Sequence, residues 1–190
     1  MVRGWRKYSY LITIVFFVLG FFNILFAWLG FGCLILPFVL LAINKNKTWC
    51  QDYCPRANLF GVFRNRSMTG NAGPVWLIKG KAKWYVLGYF AFNMFVLTMS
   101  TIMVFVGRRA PLEQIRFLFV FKLPWTIPQL LNFDAFPNWA VHLSFRMYSM
   151  MFTTTVVGLI LAWIFRPRTW CTVCPVNTVS DLILHKIKRK

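Results

Sequence analysis

Two short segments of this 190-residue chain set cysteines at ligand spacing. The first reads Lys47-Thr48-Trp49-Cys50-Gln51-Asp52-Tyr53-Cys54-Pro55, the second Arg168-Thr169-Trp170-Cys171-Thr172-Val173-Cys174-Pro175. Each is a basic residue, Thr-Trp-Cys, two or three further residues, then Cys-Pro. Four thiolates in two close pairs suit a tetrathiolate centre, which zinc and iron–sulfur clusters both accept. Three features favour one 4Fe-4S cluster on Cys50, Cys54, Cys171 and Cys174. Pro55 and Pro175 follow the last cysteine of each pair, as in the Cys-Pro ending of ferredoxin runs. Trp49 and Trp170 precede each first cysteine and offer apolar cover. Lys47, Arg56, Arg166 and Arg168 flank the pairs, and their charge would favour a reduced, more negative cluster and raise its potential. Helices expected after each loop add N-terminal backbone N–H groups, which favour anions. Thr178-Val179-Ser180-Asp181 reads as a capping box opening the second of them. Three other readings stand beside this one: a structural zinc site, a quinone-linked thiol–disulfide oxidoreductase, and a scaffold whose metal centre only ties the chain together. The fifth cysteine, Cys33, reads as packing inside a helix.

The elements that must position these loops are membrane helices. Hydrophobic residues make up 58% of the chain and charged residues only 14%, against about 25% charged in a soluble domain. Tyr8 to Ile43, Trp84 to Gly107 and Met147 to Phe165 carry no charged side chain. A bilayer span needs about 20 apolar residues. The first stretch, as one helix, would run roughly 54 Å, well beyond the about 30 Å hydrocarbon core. It therefore reads as a tight hairpin about Gly30-Phe31-Gly32, with helices near Ser9 to Trp28 and Gly32 to Asn44. Further spans are expected over Lys83 to Val106 and Val141 to Phe165. The intervening segment, with Pro111, Pro124, Pro128 and Pro137, is expected to form short surface helices. The expected fold is an all-α membrane protein of four transmembrane helices in two pseudo-repeated hairpins. Each hairpin is followed by a Cys-Pro loop and a surface amphipathic helix. One membrane domain is expected over residues 1–190, its halves spanning about 8–70 and 83–190.

Charge assigns the sides. The formal net charge is +18. In a soluble chain this would suggest nucleic acid, but here the charges lie between and beyond the apolar stretches, so no nucleic-acid partner is expected. Arg3, Arg6 and Lys7 precede the first span with no acid. The loop from Asn44 to Lys83 has eight basic residues and one acid, and the tail from Arg166 has six and one. The segment from Gly107 to Ala140 has four against two. The positive-inside rule then predicts a multi-pass protein of the inner (cytoplasmic) membrane, with both termini and both cysteine loops cytoplasmic. No cleavage site follows the first apolar stretch, so it reads as a retained anchor. His142, at the far end of the last span, and Arg146, one turn further in, are candidate contacts for a quinone head group or lipid phosphate. The alternative for Arg146 is a side chain extended to the interface.

The Cys50-x3-Cys54-Pro55 and Cys171-x2-Cys174-Pro175 loops behind paired apolar helices resemble the four-span core of the membrane polyferredoxin family. That family includes the quinol-dehydrogenase-like membrane subunits of periplasmic nitrate reductase and the regulatory membrane proteins of nitrous-oxide reductase. It usually has three residues between the cysteines of both loops, whereas the second loop here has two. The resemblance implies an electron-transfer subunit that makes no bonds in a substrate itself. Its cluster would relay electrons between a cytoplasmic donor and quinone or partner redox subunits of ferredoxin-like, flavin or cytochrome type.

Overall fold

A computed structural model describes residues 8–62, 73–78, 80–112, 114–117, 121–122 and 136–189. The basic N-terminal residues Arg3, Arg6 and Lys7, then Arg64 and Arg66 of the loop after the first cysteine motif, and Pro124 and Pro128 lie outside them. The chain is mostly helical. Helix α1 spans Tyr10–Phe22. A 3₁₀ turn, Ile24–Trp28, runs directly into α2, Leu29–Asn44. Helices α3 (Pro55–Val62), α4 (Val75–Ile78) and α5 (Ala82–Phe105) follow. A two-stranded antiparallel ribbon, β1 (Arg116–Phe117) and β2 (Phe121–Lys122), precedes α6, Asn138–Ile164. The chain ends with α7 (Thr169–Val173) and α8 (Pro175–Lys188).

Among the described residues, three helices are long and apolar enough to cross a membrane: Ile24–Asn44 (21 residues), Ala82–Phe105 (24) and Asn138–Ile164 (27). Helix α1 is apolar but has only 13 residues. Many large apolar side chains on these helices are exposed, among them Ile35, Leu36, Phe92 and Phe105, as hydrocarbon solvent allows. Such an architecture is compatible with a membrane protein.

The first helical break differs from the expected one. It falls at Asn23, not at Gly30-Phe31-Gly32. Asn23 is extended (φ −153°, ψ 128°), its Oδ1 accepts the Leu25 N–H at 2.8 Å, and its own N–H donates to the Leu19 carbonyl. One side chain thus caps the next helical segment where the previous one stops. The two glycines instead continue the helix. The segment after α5 also differs: its described residues form the β-ribbon, not surface helices. Phenylalanine-rich sequence suits a half-buried pleated surface, and the Arg116 N–H docks on Ser149 Oγ at 3.1 Å. At the end of α5, Gly107 takes φ +76°. The Gly107 N–H donates to Val104 and the Arg108 N–H to Met103, the paired closure that a left-handed glycine permits.

The described residues fall into two compact units. One comprises described parts of Met1–Thr13, Gly32–Phe90 and Thr155–Lys190; the other comprises those of Ile14–Phe31 and Ala91–Thr154. In the second, Ile24, Ala27, Ile115, Phe145 and Tyr148 form a core joined by Phe16, Phe17 and Val141. In the first, α6 presents Gly158 to the ring of Phe60 on α3, and Asn58 Nδ2 donates to Ser9 Oγ. A Cβ at Gly158 would lie 2.3 Å from that ring, so the glycine is required by close approach. Gly158→Val is expected to destabilise the folded protein by roughly 1–3 kcal/mol through overpacking, measurable as a lowered thermal midpoint in detergent. Because Phe60 also lines the cavity described next, the same variant should distort it.

Candidate metal centre

Each cysteine motif is built around the residue before a proline. The proline ring disfavours the α region for that residue and pushes it towards extended ψ. Cys54 has φ −64°, ψ 111°, and Cys174 has φ −57°, ψ 129°. Helical structure therefore stops at each second cysteine. It restarts at once, because proline is well suited to the first helical position: α3 begins at Pro55 and α8 at Pro175. The capping box expected at Thr178 is corrected accordingly. Helix α8 opens three residues earlier, and Thr178 lies inside it with its hydroxyl donating to the Cys174 carbonyl.

The unequal spacing of the motifs has a local solution. Trp49–Tyr53 forms one π turn, closed by the Cys54 N–H on the Trp49 carbonyl at 2.8 Å. Thr169–Val173 forms an α turn. A π turn accommodates one residue more than an α turn. Both second cysteines thus reach the same backbone state before a Pro-initiated helix, despite three intervening residues in one motif and two in the other.

Within this unit, Cys50, Cys54, Cys171 and Cys174 all line one cavity of about 50 Å³. Trp49, Trp170, Pro55 and Arg56 line it too. Pro175 is buried at the start of α8. All five cysteines are free thiols. Among the described residues, no group of three or more His, Cys, Asp or Glu side chains is placed to hold a single metal ion. Burial pushes the Cys50 thiol up to about 11 and Cys171 up to about 12, with neighbouring cysteines adding to the rise. Lys47 opposes the shift at Cys50, and Arg168 opposes it at Cys171. Cys174 is also raised by burial, against Arg56 and against the Asn177 and Val176 backbone N–H groups at the start of α8. Helix N–H groups of this kind favour a thiolate.

Two of the flanking cations stand differently from the sequence expectation. Lys47 pairs with Asp181 and donates to Asn177 Oδ1 at 2.9 Å. Arg166 is exposed and is not part of the cavity wall. Sequence reasoning missed two residues altogether. Cys33, taken as packing, lines the same cavity from within α2. Asn177 lines it as well and donates through Nδ2 to the Cys171 carbonyl at 3.0 Å. The only sequence signal for Asn177 is its place one turn after Cys174-Pro175; Cys33 has none.

His142 and Arg146 belong to the other unit. The ring of His142 is buried, its Nδ1 accepting the Leu112 N–H at 3.0 Å and its Nε2 lying 3.1 Å from Ser100 Oγ. An accepting Nδ1 leaves the neutral ring's proton on Nε2, directed at Ser100. Ser100 in turn donates to the Leu97 carbonyl. Arg146 is 7% exposed, so it does not extend to the surface as the interfacial alternative required.

Comparison with known proteins gives one match. A family model described as a 4Fe-4S binding domain matches residues 26–82 and 148–190, together more than half the chain. Each matched stretch contains one Cys-Pro motif. No curated protein and no solved structure matches.

A thiol whose pKa is raised on folding favours the fold at low pH and withdraws that support as pH climbs. In the metal-free protein, the contributions of Cys50 and Cys171 are fully present below the ordinary thiol value of 9.0 and are lost through about 11 and 12. Thermal melts of metal-free protein should therefore show stability falling as pH rises from 9 into that range. Both thiols should alkylate slowly at pH 7. Equal melts at pH 8 and pH 11 would contradict this.

Proposed function

The chain belongs to the 4Fe-4S binding domain family, and from that premise we propose that it is a membrane electron-transfer subunit holding one 4Fe-4S cluster on Cys50, Cys54, Cys171 and Cys174. The observation that carries this reading is the convergence of both Cys-Pro motifs, distant in sequence, on one cavity wall. The donor chemistry fits. Four cysteines supply all the ligands such a cluster takes. Zinc takes the same four thiolates, and the 4Fe-4S family match favours the cluster.

When bound, such a cluster supplies one-electron transfer. The chain's own residues set its surroundings. Trp49 and Trp170 add apolar wall to the cavity. Arg56, Lys47 and Arg168 place positive charge near the thiolates, and the N–H groups of Val176 and Asn177 add to it at Cys174. All favour added negative charge, hence a higher reduction potential. Four thiols must lose their protons to ligate. Loading the site therefore releases protons and weakens at low pH.

Within this reading the protein is a member of the membrane polyferredoxin group. It lies in the inner membrane with both cysteine loops at the cytoplasmic face, as the distribution of basic residues supports. Electrons pass between a cytoplasmic donor and quinone or a partner redox subunit of ferredoxin-like, flavin or cytochrome type. With both nitrogens of His142 engaged within the chain, quinone contact at that residue would require the Ser100 bond to be exchanged.

Protein purified without oxygen should carry roughly four iron and four acid-labile sulfide atoms per chain. It should also show a broad visible absorbance that dithionite bleaches. Any single Cys→Ser change among the four should abolish or grossly destabilise that chromophore, whereas Cys33→Ala should retain it. One zinc per chain with no iron would select the structural-metal reading. In intact cells, a membrane-impermeant maleimide should label none of the four cysteines until the membrane is permeabilised; labelling from outside would reverse the proposed sidedness.

A further inference from the structure

Resting on the cluster reading above, we propose that Lys47 and Asn177 form a strap that sets the separation of the two cysteine motifs, and that both are positioning residues for the cluster. Lys47 lies three residues before Cys50, and Asn177 three after Cys174. The Lys47 ammonium donates to Asn177 Oδ1 at 2.9 Å, and the Asn177 Nδ2 donates to the Cys171 carbonyl at 3.0 Å. Asp181, one turn further along α8, pairs with the same ammonium. A side chain from the first motif is thereby tied, through one amide, to the backbone of the second.

The chemistry of the amide makes the strap specific. An ammonium can only donate and a carbonyl can only accept. A bridging group must accept from one and donate to the other, and the asparagine amide does so through two separate atoms, Oδ1 and Nδ2. Aspartate would turn a carboxylate oxygen on the Cys171 carbonyl; leucine would serve neither partner. The two links differ in weight. Asp181 is 62% exposed at its side chain, and an exposed ion pair contributes little. Asn177 sits in the cavity wall, where polar partners left without a hydrogen bond are costly. The strap matters because contacts that hold the two loops in place reduce the ordering that loading must supply.

The test uses the full chain, loaded without oxygen, and the rate of iron release to excess ferrozine. Lys47→Met and Asn177→Leu should each speed release roughly tenfold, the low end of what outer contacts to metal ligands contribute. Lys47→Arg, which keeps the donor, should stay within about twofold of wild type, as should Asp181→Asn. The double variant should release iron no faster than the worse single variant, since both act through one bridge. Asn177→Ser, too short to reach Lys47, replaces Asn177→Leu if the latter fails to accumulate. Additive losses, or single variants matching wild type, would overturn the strap. A wild-type chain that never binds iron is a different failure, since it removes the cluster reading from which the strap follows.

Discussion

A residue that precedes proline is pushed towards extended backbone, and this tendency prevails in both cysteine motifs. It halts helical structure at Cys54 and Cys174, and the proline starts a new helix in the next residue. Each second cysteine is left at a corner with an extended backbone. At Cys174, the first N–H groups of α8 turn towards the sulfur. A single backbone rule thus yields a bent frame, a ligand at its apex and a partly positive helix end beside it. The motifs differ in length, yet a π turn in one and an α turn in the other deliver the same corner. Once the corners are set, Lys47, three residues before Cys50, and Asn177, three after Cys174, come within hydrogen-bonding reach.

The electrostatics of the cavity follow from burying sulfur. Removing thiols from water penalises their charged form, and each nearby sulfur raises its neighbours further. Without a cation at the centre the stable state is protonated. With one, the protons leave and the same low-dielectric surroundings strengthen the attraction between thiolate and metal. The nearby Arg56, Lys47 and Arg168 reduce the penalty without removing it. Under the proposed reading, such surroundings keep bare thiolates from being exposed to oxidation.

The other unit solves a different problem, the satisfaction of polar groups on apolar helices. Along α6, Ser144, Ser149 and Thr154 return their hydroxyl protons to carbonyls one turn back, the usual recourse where water is absent. His142 is held between a loop N–H and Ser100, and Tyr148 donates to the Phe17 carbonyl while Phe17 packs edge-on against its ring. These contacts fasten loop and helices to α6 by means that residue types alone do not announce.

What was legible in the sequence was whatever depends on neighbours along the chain. Uncharged stretches at Tyr8 to Ile43, Trp84 to Gly107 and Met147 to Phe165 mark apolar helices, because hydropathy is a sum over adjacent residues. The two Thr-Trp-Cys frames ending in Cys-Pro mark an iron–sulfur motif, because the turn that presents the ligands is local. What the tertiary structure alone decided was every pairing across distance. It moved the first helical break to Asn23, where a side chain caps the following segment better than glycine can. It drew Cys33 from a presumed packing role into the cavity wall. It turned Lys47 towards Asn177 and Asp181, 130 and 134 residues away. It also buried Arg146, which its position near a helix end had suggested would reach outward. Such choices rest on which surfaces meet when helices pack, and a linear pattern holds no record of that meeting.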